Sequence, residues 1–306
     1  MGRPRPLRPL RQALETAALR LVAGIARALP LEGASDLGAF LGGAARVILP
    51  RRRRIAEANL RAALGLSEAE AARVARDVFT QLGRSFVEFL ALPAHGWDEL
   101  QGRVSSEDGG MERLRAWNAA GRGALLVTGH YGNWELLGAT LGHRAGGVAY
   151  VFPAQSNPGT DAFINETRRR LGVELIPMEQ GMRRALRRIL EGGNIGMLVD
   201  QDARKIGIHL PFFGRPASTL TGPARLAIRG RCPLYVTILE RTGRARFRAR
   251  LLDWIEPREG ADEETELVRL TLALNETLER AIRERPDHWY WIHRRWKTPP
   301  PPSPTS

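Results

Sequence analysis

Apolar residues run unbroken from Ala124 to Val127, the length and composition of a buried strand, and the run stops at Thr128 and Gly129. From Asn133 the pattern changes, and Leu136, Leu137, Thr140 and Leu141 recur at helical spacing. The stretch LLVTGHYGNWELLG therefore predicts a strand, a turn and a helix. His130 falls in the turn, with Gly129 and Gly132 free to take unusual backbone angles. The same alternation continues downstream. It predicts strand Val148–Phe152, helix Asp161–Leu171, strand Val173–Ile176, helix Gly181–Leu190 and strand Ile195–Val199. Helix Thr221–Arg229, strand Leu234–Leu239, an edge strand Phe247–Leu252 and a closing helix Glu264–Arg285 follow. Met182, Ala185, Leu186, Ile189 and Leu190 form the stripe of a helix that covers one face of a sheet. Alternation of this kind argues for an α/β fold, an αβα sandwich with a mostly parallel sheet.

The first hundred residues read differently. Leu14–Leu29 and Asp36–Leu49 are apolar, but Arg20, Arg27 and Arg46 interrupt them. Neither offers the ~20 apolar residues in a row that a spanning helix needs. No small-residue cleavage site follows a signal-like core. The pattern fits helices lying in a membrane interface, and equally helices packed on the domain. Ser67 and Glu70 form a capping box, and Val74, Val78, Leu82, Phe86 and Phe89 make a helical stripe that ends before Pro93. Gly96–Gly110 is a polar break. The expected organisation is a helical, membrane-associating region over 1–100, a catalytic α/β domain over 101–298 and a disordered Pro-rich tail over 299–306, with Met1–Arg11 frayed.

Composition adds little to this outline. The 306 residues are 43% hydrophobic and 26% charged, which is globular. Cys232 is the sole cysteine, so no internal disulfide exists, and a small buried hydrophobe is its expected role. Net charge is +13, and only Lys205 and Lys297 are lysines, so single arginines mean little here. Their placement means more. Met1–Arg54 carries eleven arginines against Glu15, Glu32 and Asp36, a basic end suited to an anionic membrane, an acidic protein or nucleic acid.

Chemistry concentrates around His130. Glu135 lies five residues on, about 140° around a regular helix, so the two meet only if His130 precedes the first turn and folds back. That arrangement gives an imidazole held by a carboxylate, an oriented general base, although a solvated turn histidine has the same spacing. Backbone amides near Gly132 and Asn133 are candidate donors to an oxyanion. Asp200-Gln201-Asp202 ends a buried strand, where open α/β sheets place ligands, and acids there also serve as caps. The run Arg168, Arg169 and Arg170 reads, on its own, as a solvated face. Phe212 and Phe213, in an apolar hairpin-like loop, either wall a groove or simply pack. Trp289, Trp291 and Trp296, interleaved with His293, Arg294 and Arg295, suit a membrane interface or nucleic-acid stacking. His143 and His209 lack partners at metal-ligand spacing, so no metal and no cofactor are expected. The chain has no Gly-x-Ser-x-Gly elbow, Walker loop or dinucleotide fingerprint, which disfavours a covalent serine mechanism.

His130-Tyr-Gly-Asn-Trp-Glu135 resembles the His-x4-Asp/Glu motif of glycerolipid acyltransferases, in the form found in the late (lauroyl/myristoyl) acyltransferases of lipid A biosynthesis. Further blocks resemble that family in its order: Arg53–Leu64, Asn157-Pro158 with Asp161, Val199–Asp202, Pro211–Gly214, Thr221–Ala227 and His288–Lys297. The likeness spans roughly Leu14 to Lys297. It implies a glycerolipid-acyltransferase-like fold and transfer of a fatty acyl chain from an acyl carrier protein or acyl-CoA thioester to a lipid A precursor. It implies His130 as general base oriented by Glu135, with Asn133, Arg168, Arg169, Asp200, Phe212 and Phe213 on the substrate. It also implies a monomer attached, peripherally or monotopically, to the cytoplasmic face of the inner membrane, without nucleic acid as a partner. Another glycolipid or a lysophospholipid is the alternative acceptor. A nucleic-acid-binding or membrane scaffold protein is the alternative of another class.

Overall fold

The computed structural model describes residues 8–106, 109–152 and 154–301. The expected frayed start and Pro-rich tail fall partly on residues 1–7 and 302–306, which lie outside these. Four helices come first: α1 (Arg8–Arg27), α2 (Leu31–Ile48), α3 (Pro50–Leu64) and α4 (Glu68–Ala91). Helix α1 already begins at Arg8, earlier than the frayed end read to Arg11. Ser67 caps α4, accepting from the Glu70 amide while the Glu70 carboxylate accepts from the Ser67 amide. Among the described residues no helix is long and apolar enough to cross a membrane.

The polar break holds more structure than its composition suggests. It contains α5 (Trp97–Gln101) and a two-residue strand, β1 (Val104–Ser105), before α6 (Gly110–Ala119). Then come β2 (Leu125–Thr128), α7 (Trp134–Arg144), β3 (Ala149–Phe152), α8 (Pro158–Arg170), β4 (Glu174–Pro177), α9 (Met178–Leu190) and β5 (Ile195–Leu198). The hairpin β6 (Ile208–Phe212) and β7 (Arg215–Thr219) stands apart from the main sheet. Helix α10 (Gly222–Gly230), strands β8 (Leu234–Gly243) and β9 (Arg246–Ile255) and helix α11 (Glu263–Glu284) complete the fold.

The seven-stranded sheet has the order β1-β9-β8-β2-β5-β3-β4. Every neighbouring pair is parallel except β8 with β9. The α/β sandwich with a mostly parallel sheet is therefore present. One detail differs: β9 is covered by β1 and is not the edge. A two-residue strand carries too little pattern to be read from sequence.

Strand periodicity sorts the core into two layers. Leu125 and Val127 join one cluster with α9, α10 and α11, whereas Leu126 faces the other, with α7, α1 and the end of α4. Cys232 is buried in the first cluster, where burial pushes its thiol up to about 12, so it behaves as a small hydrophobe. Trp289 and Trp291 also belong to that core, 1% and 0% exposed, stacked edge to face with centroids 4.6 Å apart. The tryptophan tail is therefore neither a membrane face nor a stacking platform at these two positions. Composition cannot tell a buried tryptophan from a surface one.

Candidate active site

The parallel pairing of β2 with β5 builds the site. Thr128 lies opposite Leu198, so His130 and Asp200 both emerge two residues beyond neighbouring strand ends. His130 Nδ1 lies 2.7 Å from Asp200 Oδ1, and the His130 amide donates to Asp200 Oδ2 at 2.7 Å. Trp289 Nε1 donates to the same Oδ2, also at 2.7 Å. Asp200 is only 3% exposed. Burial raises its carboxyl, but the imidazole and the hydrogen bonds from His130 and Trp289 outweigh that and hold it below its ordinary value. A carboxylate accepting at Nδ1 fixes the tautomer with the lone pair on Nε2. That atom faces Gln201, whose Nε2 is 3.2 Å away. The ring is flanked by Trp134 and Tyr290, with centroids 5.1 and 5.5 Å distant.

The two glycines of the turn are required for different reasons. A side chain at Gly129 would bring its Cβ to 3.0 Å from Asp200 Oδ2. Gly132 has φ +56°, and a Cβ there would lie 1.8 Å from the Leu239 carbonyl. Gly132 alone takes the left-handed backbone; Gly129 is there for space.

Glu135 does not hold the imidazole. Its carboxylate is bound bidentately by Arg168, Nε to Oε2 at 3.0 Å and Nη2 to Oε1 at 2.6 Å. The expected His130–Glu135 alignment is thus replaced by His130–Asp200, because β5 delivers a carboxylate to Nδ1 directly. Glu135 sits in the first turn of α7 and reaches α8 instead. Burial lowers Arg168, and the bonds to Glu135 outweigh it, so the guanidinium is held above its usual value.

Other candidates separate cleanly. Arg169 and Arg170 both pair with Glu166 on the solvent face of α8, so of the three arginines only Arg168 reaches the site. Asn133 is 1% exposed; its Oδ1 accepts from the Leu136 amide as the α7 cap, and its Nδ2 donates to Glu88. Its side chain is structural, not substrate-facing. The Gly132 amide donates to the His288 carbonyl at 2.9 Å and is unavailable to an oxyanion. Phe212 and Phe213 are 0% and 5% exposed and pack on Trp289 and Trp291, so they belong to the core and not to a substrate wall.

Three roles escaped the sequence reading. Gln201 was in view only as part of Asp200-Gln201-Asp202, and Trp289 reads from sequence as a membrane-interface or stacking residue, not as a donor to Asp200. Glu88, 0% exposed, receives both terminal nitrogens of Arg241, at 2.6 and 2.7 Å, as well as Asn133. A lone acid inside the apolar run Phe86–Leu90 was a signal, since a buried carboxylate needs partners.

A cavity of about 740 Å³ lies beside His130, lined by Glu135 and Arg168 and by leucines, valines and Tyr150. An imidazole held by a buried carboxylate at the mouth of an apolar cavity is equipped to remove a proton from a hydroxyl beside a bound chain.

The family model for bacterial lipid A biosynthesis acyltransferases matches residues 5–298. The chain belongs to that family. It is an acyltransferase. It is 26% identical over 218 residues to a phosphatidylinositol mannoside acyltransferase of Mycobacterium tuberculosis, covering 70% of this chain and 67% of the other. It is 27% identical over 279 residues to the lipid A biosynthesis palmitoleoyltransferase of Escherichia coli (89% and 87% covered). The lipid A biosynthesis lauroyltransferase of Escherichia coli is 26% identical over 278 residues (89% and 88%). Family membership implies a lipid acceptor, lipid A-type or a related glycolipid.

Proposed function

We propose that the protein transfers a fatty acyl chain from an acyl carrier protein or acyl-CoA thioester to a hydroxyl of a lipid A precursor, with His130 as general base oriented by Asp200. The observation that carries this reading is the 2.7 Å His130–Asp200 contact at the mouth of the apolar cavity. His130 Nε2 takes the hydroxyl proton as the oxygen attacks the thioester carbonyl. The tetrahedral intermediate then collapses, the C–S bond breaks, and the leaving thiolate takes the proton from the imidazolium. No acyl-enzyme forms. Such general-base help is worth about 10²–10⁴-fold in rate. Glu135 and Arg168, paired with each other on the cavity wall, position the donor or acceptor head in this reading.

Residues 1–100 are the membrane-associating part of this reading. Leu14, Leu21 and Ile25 on α1 and Phe40, Val47 and Ile48 on α2 are exposed, as are Arg51 and Arg54 next to them. Apolar side chains beside arginines support attachment to an anionic lipid surface, peripheral or monotopic, on the cytoplasmic face. The basic surface also suits an acidic carrier protein, and the site is complete within one chain, in keeping with a monomer.

The test supplies acyl carrier protein and CoA thioesters, a tetra-acylated lipid A precursor, a phosphatidylinositol mannoside and a lysophospholipid to membranes carrying the protein. Product masses are then read. One chain gained by the lipid A precursor, and none with His130→Ala, is the expected result. Gain on the mannoside instead keeps the chemistry and moves the acceptor to the glycolipid named for the mycobacterial relative. Transfer by His130→Ala at the wild-type rate overturns the mechanism.

A further inference from the structure

The tetrahedral intermediate of acyl transfer carries a negative charge on the former carbonyl oxygen, and a hydrogen-bond donor aimed at that oxygen stabilises it. The backbone amides next to the imidazole are already engaged. The His130 amide donates to Asp200, the Tyr131 amide to the Gly129 carbonyl at 2.8 Å, and the Gly132 amide to the His288 carbonyl at 2.9 Å. Arg168 turns Nε and Nη2 to Glu135 and Nη1 to Asn165. None of these groups is aimed at the oxygen.

Gln201 stands where such a donor is needed. It lines the same cavity as His130, and it is exposed. Because the Asp200 carboxylate keeps the imidazole proton on Nδ1, Nε2 offers a lone pair, and the Gln201 group 3.2 Å from it is the amide nitrogen and not the oxygen. The imidazole is the sole hydrogen-bond partner of that side chain among the described residues. Its backbone, by contrast, is fixed on both sides. Asp200 is held by His130 and Trp289, the Asp202 amide donates to His293 Nε2 at 3.1 Å, and the Asp202 carboxylate accepts from Thr298 at 2.9 Å. A donor on a fixed backbone, held by one bond to the atom that a substrate hydroxyl must reach, is turned aside and kept close when the hydroxyl arrives.

We infer that Gln201 is a catalytic residue, its carboxamide N–H donating to the carbonyl oxygen of the thioester as that oxygen becomes an oxyanion. This rests on the acyl-transfer reading above. In the resting site the amide covers the Nε2 lone pair. The acceptor hydroxyl takes that lone pair with its own proton, and the amide turns to the neighbouring oxygen. Reacting atoms in a productive pose lie about 3–3.5 Å apart. A carbonyl attacked by a hydroxyl on Nε2 is therefore within reach of a nitrogen that itself stands 3.2 Å from Nε2. As the C–O bond forms, the carbonyl π pair moves onto oxygen and accepts the N–H. As the C–S bond breaks, the pair returns and the bond from Gln201 weakens. Gln201 neither gains nor loses a proton, so the proton passes from hydroxyl to imidazole to thiolate as before.

The test is Gln201→Met, which keeps the length of an exposed side chain and removes its donors, so Tm is expected to stay at the wild-type value. Initial rates are measured on a tetra-acylated lipid A precursor with lauroyl-CoA and with its dithioester, in which sulfur replaces the carbonyl oxygen. The expected result is a kcat about 10²–10³-fold lower with donor and acceptor KM little changed. The ratio of thioester to dithioester rate is expected to collapse, because sulfur is a weak acceptor and the variant has no donor to lose. In parallel, the infrared carbonyl band of a bound ketone analogue of lauroyl-CoA, with a methylene in place of the thioester sulfur, is read in both proteins. It is expected at lower frequency in the wild type. A loss of kcat with the ratio and the band unmoved is structural damage and overturns the assignment. A lower band in a wild-type protein that transfers no chain upholds the donor assignment and overturns the acyl-transfer reading. Transfer with kcat, ratio and band all unmoved by Gln201→Met does the reverse.

Discussion

Glu135 lines the cavity and Asp200 holds the imidazole beside it, and the surroundings of the two carboxylates differ. Asp200 ends a central strand, is 3% exposed, and spends its oxygens on the His130 ring, the His130 amide and the Trp289 indole. Glu135 opens a helix, and its oxygens are taken by one guanidinium, with the Glu135 and Arg168 side chains 12% and 14% exposed. The first carboxylate sets a proton acceptor; the second sets a cation. Nearness in sequence to a histidine is thus a poor guide to which acid serves it, and adjacency of parallel strands is a better one.

The comparison breaks most sharply at Asp200. Asp200→Asn is expected to lower kcat by roughly 10²–10⁴ with little change in acceptor KM, because the imidazole loses the partner that fixes its tautomer. Steady-state kinetics on membranes checks this. Next, Arg168→Met leaves Glu135 enclosed without its partner, and a loss of stability approaching about 3–5 kcal/mol follows. The double variant Arg168→Met with Glu135→Gln recovers most of that loss in a denaturant titration, since no unpaired charge remains. The Glu88–Arg241 pair under the turn obeys the same rule, and Glu88→Gln destabilises to a similar extent.

A smaller effect is expected on acidification. The folded value of Asp200 is lowered, so its ionic contribution is complete above the ordinary aspartate value near ~3.9 and is lost as pH falls through the lower folded value. Asp287 and Glu240 are lowered too, and add to the same loss. Asp200→Asn therefore flattens the decline of stability with acid, measured as Tm against pH. Smallest of all, Arg169→Ala leaves rate and Tm unchanged, because among the described residues that side chain pairs with Glu166 alone, on the solvent face.

The turn itself was legible in the sequence. A buried apolar run, two glycines and the helical spacing after Asn133 are local signals, and they place His130 without knowledge of the strand order. The alternation from Val148 onward likewise gives a mostly parallel sheet. What could not be read is the 70-residue connection from His130 to Asp200, which depends on β2 pairing with β5 in one register, Thr128 against Leu198. Among three consecutive arginines, only helix geometry picks out Arg168. Phe212 and Phe213, and the tryptophans after His288, were ambiguous because an aromatic residue carries no mark of which side of it is solvent. Glu88 was the reverse case, a single polar letter in an apolar stripe whose partner, Arg241, comes from a distant strand.

Comparing kcat of Asp200→Asn with that of Glu135→Gln tests the His130–Asp200 assignment most directly. The account predicts a kcat lowered by roughly 10²–10⁴ in Asp200→Asn with acceptor KM little changed, and a far smaller loss of kcat in Glu135→Gln. A large loss of kcat in Glu135→Gln, with Asp200→Asn near the wild-type rate, would contradict the account.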